Sequence, residues 1–389
     1  MTPASPFRSL FLGGFECSTH RRGDGERLDL IAATGHDRHA EADYRQLKAL
    51  GIEAMRDGLR WHLIERGPGL YDWSSLRGMA AAARRADVQV VWDLCHYGWP
   101  DRIDIWSVGF VERFADFAAA AARVLREEGE TAPFVCPINE ISFWSWAGGE
   151  LGHIAPFAQR RGSKLKRQLA RAAIAATRAV RAEAPAARFI TAEPLIHVAP
   201  SGTDAEARQA AEAYHLSQFE ACDMICGRLA PELGGREDLL DMVGVNFYPS
   251  NQWALGGSIL PLGHHAYRPL ADLLGEVHRR YGRPLLVSET GAEGSARAAW
   301  LHYVCDEARV ALQAGVPLVG LCLYPVLDYP GWDNDRICAT GLLSPLDPWG
   351  ARSVHPAFAA ELARQQALFA GFPAPSCGSR TGTGMLAAP

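Results

Sequence analysis

Two glutamates stand where apolar runs stop. Residues 137–140 read Pro-Ile-Asn-Glu and residues 287–290 read Val-Ser-Glu-Thr, so Glu140 and Glu289 close two hydrophobic stretches far apart in the chain. Two carboxylates brought to one sugar-sized opening are the equipment for glycoside hydrolysis. One must be protonated to release the leaving group, and the other must be ionised to attack. Their separation decides the stereochemistry: about 5–5.5 Å gives retention through a covalent glycosyl-enzyme, and about 6.5–9.5 Å gives inversion. The bland alternative is a structural ion pair at a rim. It accounts for either glutamate alone, and less well for both in matching contexts.

Bringing the two together needs a scaffold that delivers both strand ends to one place. Apolar runs rich in β-branched residues recur at 10–17, 51–61, 88–97, 132–140, 188–197, 239–249, 284–290 and 317–328. Segments with helical spacing lie between them at 38–50, 74–86, 109–128, 164–184, 204–221, 268–281 and 295–314. Strands alternating with helices predict a parallel sheet with helical crossovers, and near-continuous apolar strands predict burial on both faces. Eight such units predict closure into a single α/β domain, a (β/α)8 TIM barrel over residues 1–372. Gly13-Gly14 follows a strand, but no GxGxxG opens a helix after it, which argues against a dinucleotide site. The low-complexity stretch 373–389 is expected to be a disordered tail.

The active site of such a barrel lies at the C-terminal ends of its strands. There the runs deliver Arg56 and Arg60; Asp93, His96 and Tyr97; Asn139 and Glu140; Glu193; Asn246 and Tyr248; Glu289; and Tyr324, Asp328, Trp332, Asp333 and Asp335. One polar strand end means little, whereas nearly every strand supplying one is a signal. Arg60 shares side-chain parity with Arg56 and can substitute for it. Glu193 reads as a salt-bridge partner of Arg56 or Arg60 rather than a third active-site carboxylate. Trp99, Trp106, Trp144, Trp146, Trp253 and Trp332 fall after strands, where indoles either stack on sugar C–H faces or pack the core.

Composition narrows the partners. The net charge of -5 argues against a nucleic-acid binder, and the one dense basic stretch, 160–167, reads as a solvated face. The first 18 residues lack a signal-peptide pattern, and no apolar run approaches the ~20 residues that span a bilayer. Nine cysteines form no regular framework, and Cys95, Cys136 and Cys322 sit inside apolar runs. They read as core thiols of a cytoplasmic protein without structural disulfides, as do Cys222 and Cys226. His264-His265 has no carboxylate at ligand spacing, so no metal and no cofactor is expected.

At these residues the sequence resembles glycoside hydrolase family 1, the β-glucosidase type, within a clan of retaining (β/α)8 glycosidases. INEISFWSWAGGELGHIAP (138–156) is similar to that family's acid/base segment, and LLVSETG (285–291) to its nucleophile strand. GIEAMRDGLRW (51–61), DLCHYGWP (93–100), GVNFYPS (244–250) and LYPVLDYPGW (323–332) resemble its strands 2, 3, 6 and 8 in order. The resemblance implies Glu140 as general acid/base and Glu289 as nucleophile. It implies that Asn139 bonds the sugar 2-hydroxyl, that His96 binds another hydroxyl and that Trp332 flanks the ring. Arg56 and Tyr248 would hold Glu289 ionised, and Asn246 and Asp333 would join the substrate contacts. Some positions depart from the pattern. Gly331 stands where the family has a sugar-binding glutamate, a gap that Asp333 or Asp335 can fill from a shifted loop. Glu16 or His20 occupies the region of the strand 1 glutamine, Tyr324 replaces a tryptophan, and Thr290 replaces an asparagine. The implied function is a retaining hydrolase of terminal β-linked sugars. Its rivals are a clan-related endo-glycanase or transglycosylase, and a catalytically inactive barrel that binds sugar or a partner.

Overall fold

The computed structural model describes residues 5–371, with residues 333 and 335 excepted. The expected tail at 373–389 and the candidate ligands Asp333 and Asp335 lie outside the described residues. Eight strands form the barrel: β1 (Phe11–Gly14), β2 (Ala54–Gly58), β3 (Gln89–Asp93), β4 (Phe134–Cys136), β5 (Arg188–Pro194), β6 (Met242–Asn246), β7 (Leu285–Thr290) and β8 (Leu318–Leu323). Each is parallel to both neighbours, and β1 closes on β8. Each run expected to be a strand contains one, so the (β/α)8 barrel read from the sequence is the fold observed.

The main outer helices are α1 (His36–Ala49), α2 (Ser74–Ala86), α3 (Val108–Glu127), α4 (Gly162–Glu183), α5 (Ala205–Leu216), α6 (Leu270–Tyr281), α7 (Ala296–Gln313) and α8 (Pro356–Ala370). Alanine-rich faces let α3 and α4 lie close, with Ala118, Ala121, Ala122, Ala170, Ala172 and Ala173 all buried. Start signals are plain at α3, where the Ser107 hydroxyl accepts from the Phe110 N–H, and at α5, where Asp204 accepts from Ala207. The helix expected over 204–221 is interrupted: α5 stops at Leu216, and a 3-10 turn and a short helix Glu220–Ile225 follow. α8 is an addition to the segments expected.

Side-chain alternation divides the strands into two layers. Leu12, Ala54, Val91, Phe134, Cys136, Ile190, Ala192, Met242, Leu286 and Cys322 fill the barrel interior as one cluster, apart from the core between sheet and helices. Residues two positions further along the same parity reach the rim facing inward: Arg56 after Ala54, Asp93 after Val91, Tyr324 after Cys322. Gly14 shows how tightly that rim is filled, since a Cβ there would lie 2.2 Å from the Tyr324 ring. β7 breaks the rule. Its register shifts after Val287 against both neighbours, so Ser288 and Glu289 both meet Arg56 at the lumen. Irregularities of this kind re-aim side chains beside functional sites.

Candidate active site

Arg56 organises the floor of the lumen. It is 1% exposed, and all five of its N–H groups are used. Nε and Nη2 reach the two Asp93 oxygens at 3.0 and 2.7 Å. Nη1 donates to Glu289 Oε1 at 2.8 Å and to the Ser288 carbonyl at 2.9 Å. Nη2 also donates to Asn139 Oδ1 at 2.7 Å. Burial pushes the Asp93 carboxyl up, but Arg56 and His96 outweigh it and hold Asp93 below the ordinary range. One arginine thus ties β2, β3, β4 and β7 together and points a positive charge at Glu289.

Glu289 receives a second donor, the Tyr248 hydroxyl, on Oε2 at 2.8 Å. Burial nevertheless raises its pKa to about 7, with Arg56 opposing and the neighbouring Glu140 adding to the rise. Burial also raises Glu140, which accepts from the Tyr97 hydroxyl at 2.6 Å and the Asn246 amide at 2.9 Å. The two buried carboxyls therefore resist being charged together. Only Glu289 has a cation as partner. A positive neighbour favours the ionised form, so Arg56 favours charge on Glu289 over Glu140.

Backbone strain marks the same spot. Glu140 and Tyr97 both have positive φ, 45° and 65°, in the left-handed region that side chains other than glycine's avoid. The strain is offset by a network that fixes both residues, including a bond from the Asn139 amide to the Tyr97 hydroxyl at 2.9 Å. Glu140 also donates its N–H to the Ala192 carbonyl of β5 at 2.9 Å, which sets the turn out of β4.

The remaining candidates divide into those that face the cavity and those that brace it. Tyr248 and Trp332 line the cavity with Glu140 and Glu289. Trp332 lies edge-on to Tyr97 at 5.5 Å, and its indole N–H is buried without a partner. His96 also reaches the cavity, but its nitrogens are engaged. Nδ1 lies 3.0 Å from Asp93 Oδ2, and Nε2 lies 3.0 Å from the Asn139 Nδ2. Because Asn139 Oδ1 accepts from Arg56, its NH2 points at His96 Nε2, which places the proton of the neutral ring on Nδ1. Burial disfavours the charged ring, but Asp93, Glu16 and Glu289 outweigh it and raise the His96 pKa above its ordinary value. Asn139 and Asn246 are both fully buried. Asn246 accepts from the Ser288 hydroxyl at 2.6 Å as it donates to Glu140. The structure thus brings Arg56, Asn139 and Asn246 together as braces behind the carboxylates.

Two readings from the sequence are corrected. Arg60 lies beyond the end of β2, at the cap of a short helix, and pairs with Asp29 at 3.2 Å and Asp37 at 3.5 Å. It cannot stand in for Arg56, because the chain turns before reaching it. Glu193 pairs with neither arginine. Its parity turns it out of the lumen, where Oε2 accepts the Ser142 N–H at 3.0 Å and Oε1 is buried without a partner.

Four further residues belong to the site or its wall. Tyr97 and Asp93 were recognised as rim residues without a task. Glu16 and His20 were alternatives for one place, and the structure separates them. Glu16 lines the cavity, anchored through one oxygen by the Ser18 N–H at 3.0 Å and hydroxyl at 2.5 Å. His20 is buried against Trp332 at 4.7 Å, and burial lowers its pKa to about 3. Glu16 shares parity with Leu12 and Gly14, a signal that was legible.

Cys17, Asp93 and His96 form the one cluster among the described residues with metal-ligand proximity. The donor set does not fit a cation. Both Asp93 oxygens are held by Arg56, the His96 Nδ1 proton points at Asp93, and the guanidinium stands beside them. The eight described cysteines are free and buried, Cys222 and Cys226 among them. No described helix is long and apolar enough to cross a membrane.

No protein-family model matches this chain, and no curated protein matches it in sequence. Solved structures do match in fold. The β-glucosidase of Thermotoga maritima in complex with glucoimidazole has a TM-score of 0.76 at 16% identity, covering 94% of this chain and 98% of that one. An enzyme called AHE from Alicyclobacillus herbarius has a TM-score of 0.75 at 19% identity, covering 95% and 99%. The β-glycosidase of Thermosphaera aggregans has a TM-score of 0.73 at 16% identity, covering 92% and 96%. A family 1 β-glucosidase from Thermotoga maritima scores 0.73 at 16% identity, covering 89% and 90%. The likeness is one of fold across nearly the whole chain.

Proposed function

We propose that the protein is a retaining β-glycosidase that cleaves terminal β-linked sugars by double displacement, with Glu289 as nucleophile and Glu140 as acid/base. The observation that carries this reading is the unequal support of the two buried carboxyls. Glu289 has the Arg56 guanidinium and the Tyr248 hydroxyl, whereas Glu140 has only the neutral donors Tyr97 and Asn246. In the first step Glu289 attacks the anomeric carbon and Glu140 gives its proton to the departing oxygen. The ester so formed removes the charge of Glu289. That lowers the proton affinity of Glu140, which then takes a proton from the water that cleaves the ester. His96, Trp332 and Glu16 stand where the sugar would sit, and Asp333 is retained as a candidate contact. Buried free thiols suit a cytoplasmic location.

The test is hydrolysis of a panel of aryl β- and α-glycosides by the parent and by Glu289→Gln. Cleavage of a β-glycoside with net retention, abolished in a folded Glu289→Gln protein, is the expected result. Equal activity of the two proteins would remove the assignment. Sugar binding without cleavage at any pH would make the barrel a binding protein.

A further inference from the structure

We infer that the sugar this cavity takes is cationic: a β-linked amino sugar whose ammonium, on the side of the ring away from the anomeric carbon, pairs with Glu16. The inference rests on the glycosidase reading above and names its substrate class. The place of Glu16 in the barrel decides which part of a substrate it meets. From Glu289 on β7 to Glu140 after β4, one arc of the barrel runs through β6 and β5, and the other runs through β8, β1, β2 and β3. The cavity opens outward on the first side, where the exposed rings of Trp146 and Tyr214 line it. A leaving group departs that way, so the sugar ring itself fills the second side. Glu16 follows β1, in the middle of that second arc, and Trp332 follows β8 beside it. With the anomeric carbon between the two catalytic carboxyls, the substituents across the ring, on carbons 3 and 4, are the ones that reach Glu16.

Glu16 is a buried carboxylate with half of its acceptor capacity open. It is 6% exposed, and one oxygen takes both the Ser18 N–H at 3.0 Å and the Ser18 hydroxyl at 2.5 Å. The other oxygen faces the cavity. Among the described residues no lysine or arginine pairs with it. His96 is within reach of its charge, but the imidazole turns Nδ1 to Asp93 and Nε2 to Asn139. Tyr329 stands close too: burial raises its hydroxyl far above the ordinary range, and the Glu16 charge adds to the rise. A buried charge without a counter-ion is costly, and an ammonium brought by the ligand removes that cost. Tyr324, Tyr329 and Trp332 line the cavity after β8, and aromatic rings also suit a cation.

The charge of the whole cavity points the same way. Among the described residues, six glutamates and one lysine line it. The lysine, Lys166, is paired with Glu220 at 2.7 Å, and Arg56 is buried behind Glu289 with all its N–H groups used. The field therefore attracts cations and repels carboxylated or phosphorylated sugars. A neutral sugar can give Glu16 a hydroxyl hydrogen bond, but it leaves the charge uncompensated. An ammonium gives the hydrogen bond and the counter-charge together, which is the stronger pairing.

The experiment compares 4-nitrophenyl β-glucoside with its 2-, 3- and 4-amino-deoxy analogues and with the N-acetyl derivative of each amine. kcat/KM is measured near neutral pH on the parent and on Glu16→Gln, and binding to Glu289→Gln protein is measured by calorimetry. The 3- or 4-amine is expected to exceed the neutral glucoside about tenfold or more in kcat/KM and in affinity, and N-acetylation should erase the gain. Glu16→Gln should cut the amine-to-hydroxyl ratio about tenfold or more. The N-acetyl comparison uses the parent alone, so it decides the matter even where Glu16→Gln does not fold. Equal kinetics for amine and hydroxyl overturn the cationic sugar, and so does an amine preference that Glu16→Gln leaves intact. In either case turnover of the neutral glucoside leaves the glycosidase reading standing. Tighter, N-acetyl-sensitive binding of the 3- or 4-amine without turnover of any member would keep the cationic site and sink the glycosidase reading. Binding of no member would overturn both.

Discussion

Replacing Glu193 with glutamine should stabilise the protein increasingly as pH rises from 4.5 to about 7, and by a constant amount above that. Glu193 is 4% exposed, and one of its oxygens is buried without a partner. Burial raises its pKa from 4.5 to about 7, against the pull of Ser142 and the more distant Lys166. A rise of that size corresponds to roughly 3 kcal/mol of preference for the neutral acid. The sign follows from linkage. Below pH 4.5 both folded and unfolded states carry the proton, and nothing is lost. Between 4.5 and 7 the unfolded chain ionises first, so stability falls as pH rises until the folded group has titrated too. Glutamine copies the neutral acid at every pH. Glu193→Gln should therefore lie within about 1 kcal/mol of the parent at pH 4.5, and exceed it by about 2–3 kcal/mol at pH 8.5. Urea unfolding followed by circular dichroism at the two pH values measures this. Glu140 and Glu289 titrate in both proteins, so their direct effects cancel in the difference. A mutant-minus-parent difference equal at both pH values would refute the reasoning. A second consequence concerns chemistry, since the Glu193 charge adds to the rise of Glu140. The alkaline limb of the kcat/KM profile should move to lower pH in the mutant.

Three further outcomes follow from the same network. Asp93→Asn leaves the Arg56 guanidinium without its bidentate partner in a buried place, and should cost about 3–5 kcal/mol in urea unfolding at pH 7; a loss under about 1 kcal/mol would contradict the bracing role. Tyr248→Phe removes a donor that favours ionised Glu289, so the acid limb of kcat/KM should shift up by about one pH unit while the alkaline limb moves less. An unmoved acid limb would show that another group sets it. Glu16→Gln should lower kcat/KM about 10- to 100-fold, mainly through KM, because it removes an anionic acceptor from the cavity wall. Unchanged kinetics would place the glycone elsewhere.

The barrel was legible because its signal is redundant. Eight apolar runs and seven helical stretches repeat one unit, and an error of a few residues at any boundary leaves the count intact. The runs overshoot the strands for a physical reason. Val135 and Cys136 pair in β4, but Ile138 continues the apolar pattern as rim packing after the ladder has ended. α8 escaped notice because it is apolar and mixed rather than striped, and its Pro356 start reads first as a breaker. Glu289 reaches Arg56 at the lumen for a reason that alternation does not contain. Counting from Leu285 and Val287, which pack outward, would turn Glu289 away from the lumen, and only the irregularity after Val287 brings it in.

The sequence shows which residues meet far better than it shows which lone pairs are left over. Asn139, His96 and Asn246 read as touching substrate and Arg56 as holding Glu289, and all four converge on one place. Whether a converged group can bind a ligand depends on what its neighbours have already taken. Arg56 has five N–H groups and five acceptors around it, so it has none to offer a sugar. Asn139 then inherits its orientation from Arg56, and His96 inherits its tautomer from Asn139. That chain of constraint begins with Asp93, whose two oxygens fix the guanidinium. It ends at Glu289, which therefore meets a positive charge in a fixed geometry rather than a mobile one. Catalysis by preorganisation needs this arrangement, because a donor already aligned does not have to reorganise as charge moves. Outside that chain of constraint, the described groups left open toward the cavity include Glu16 through its second oxygen and the Trp332 indole N–H.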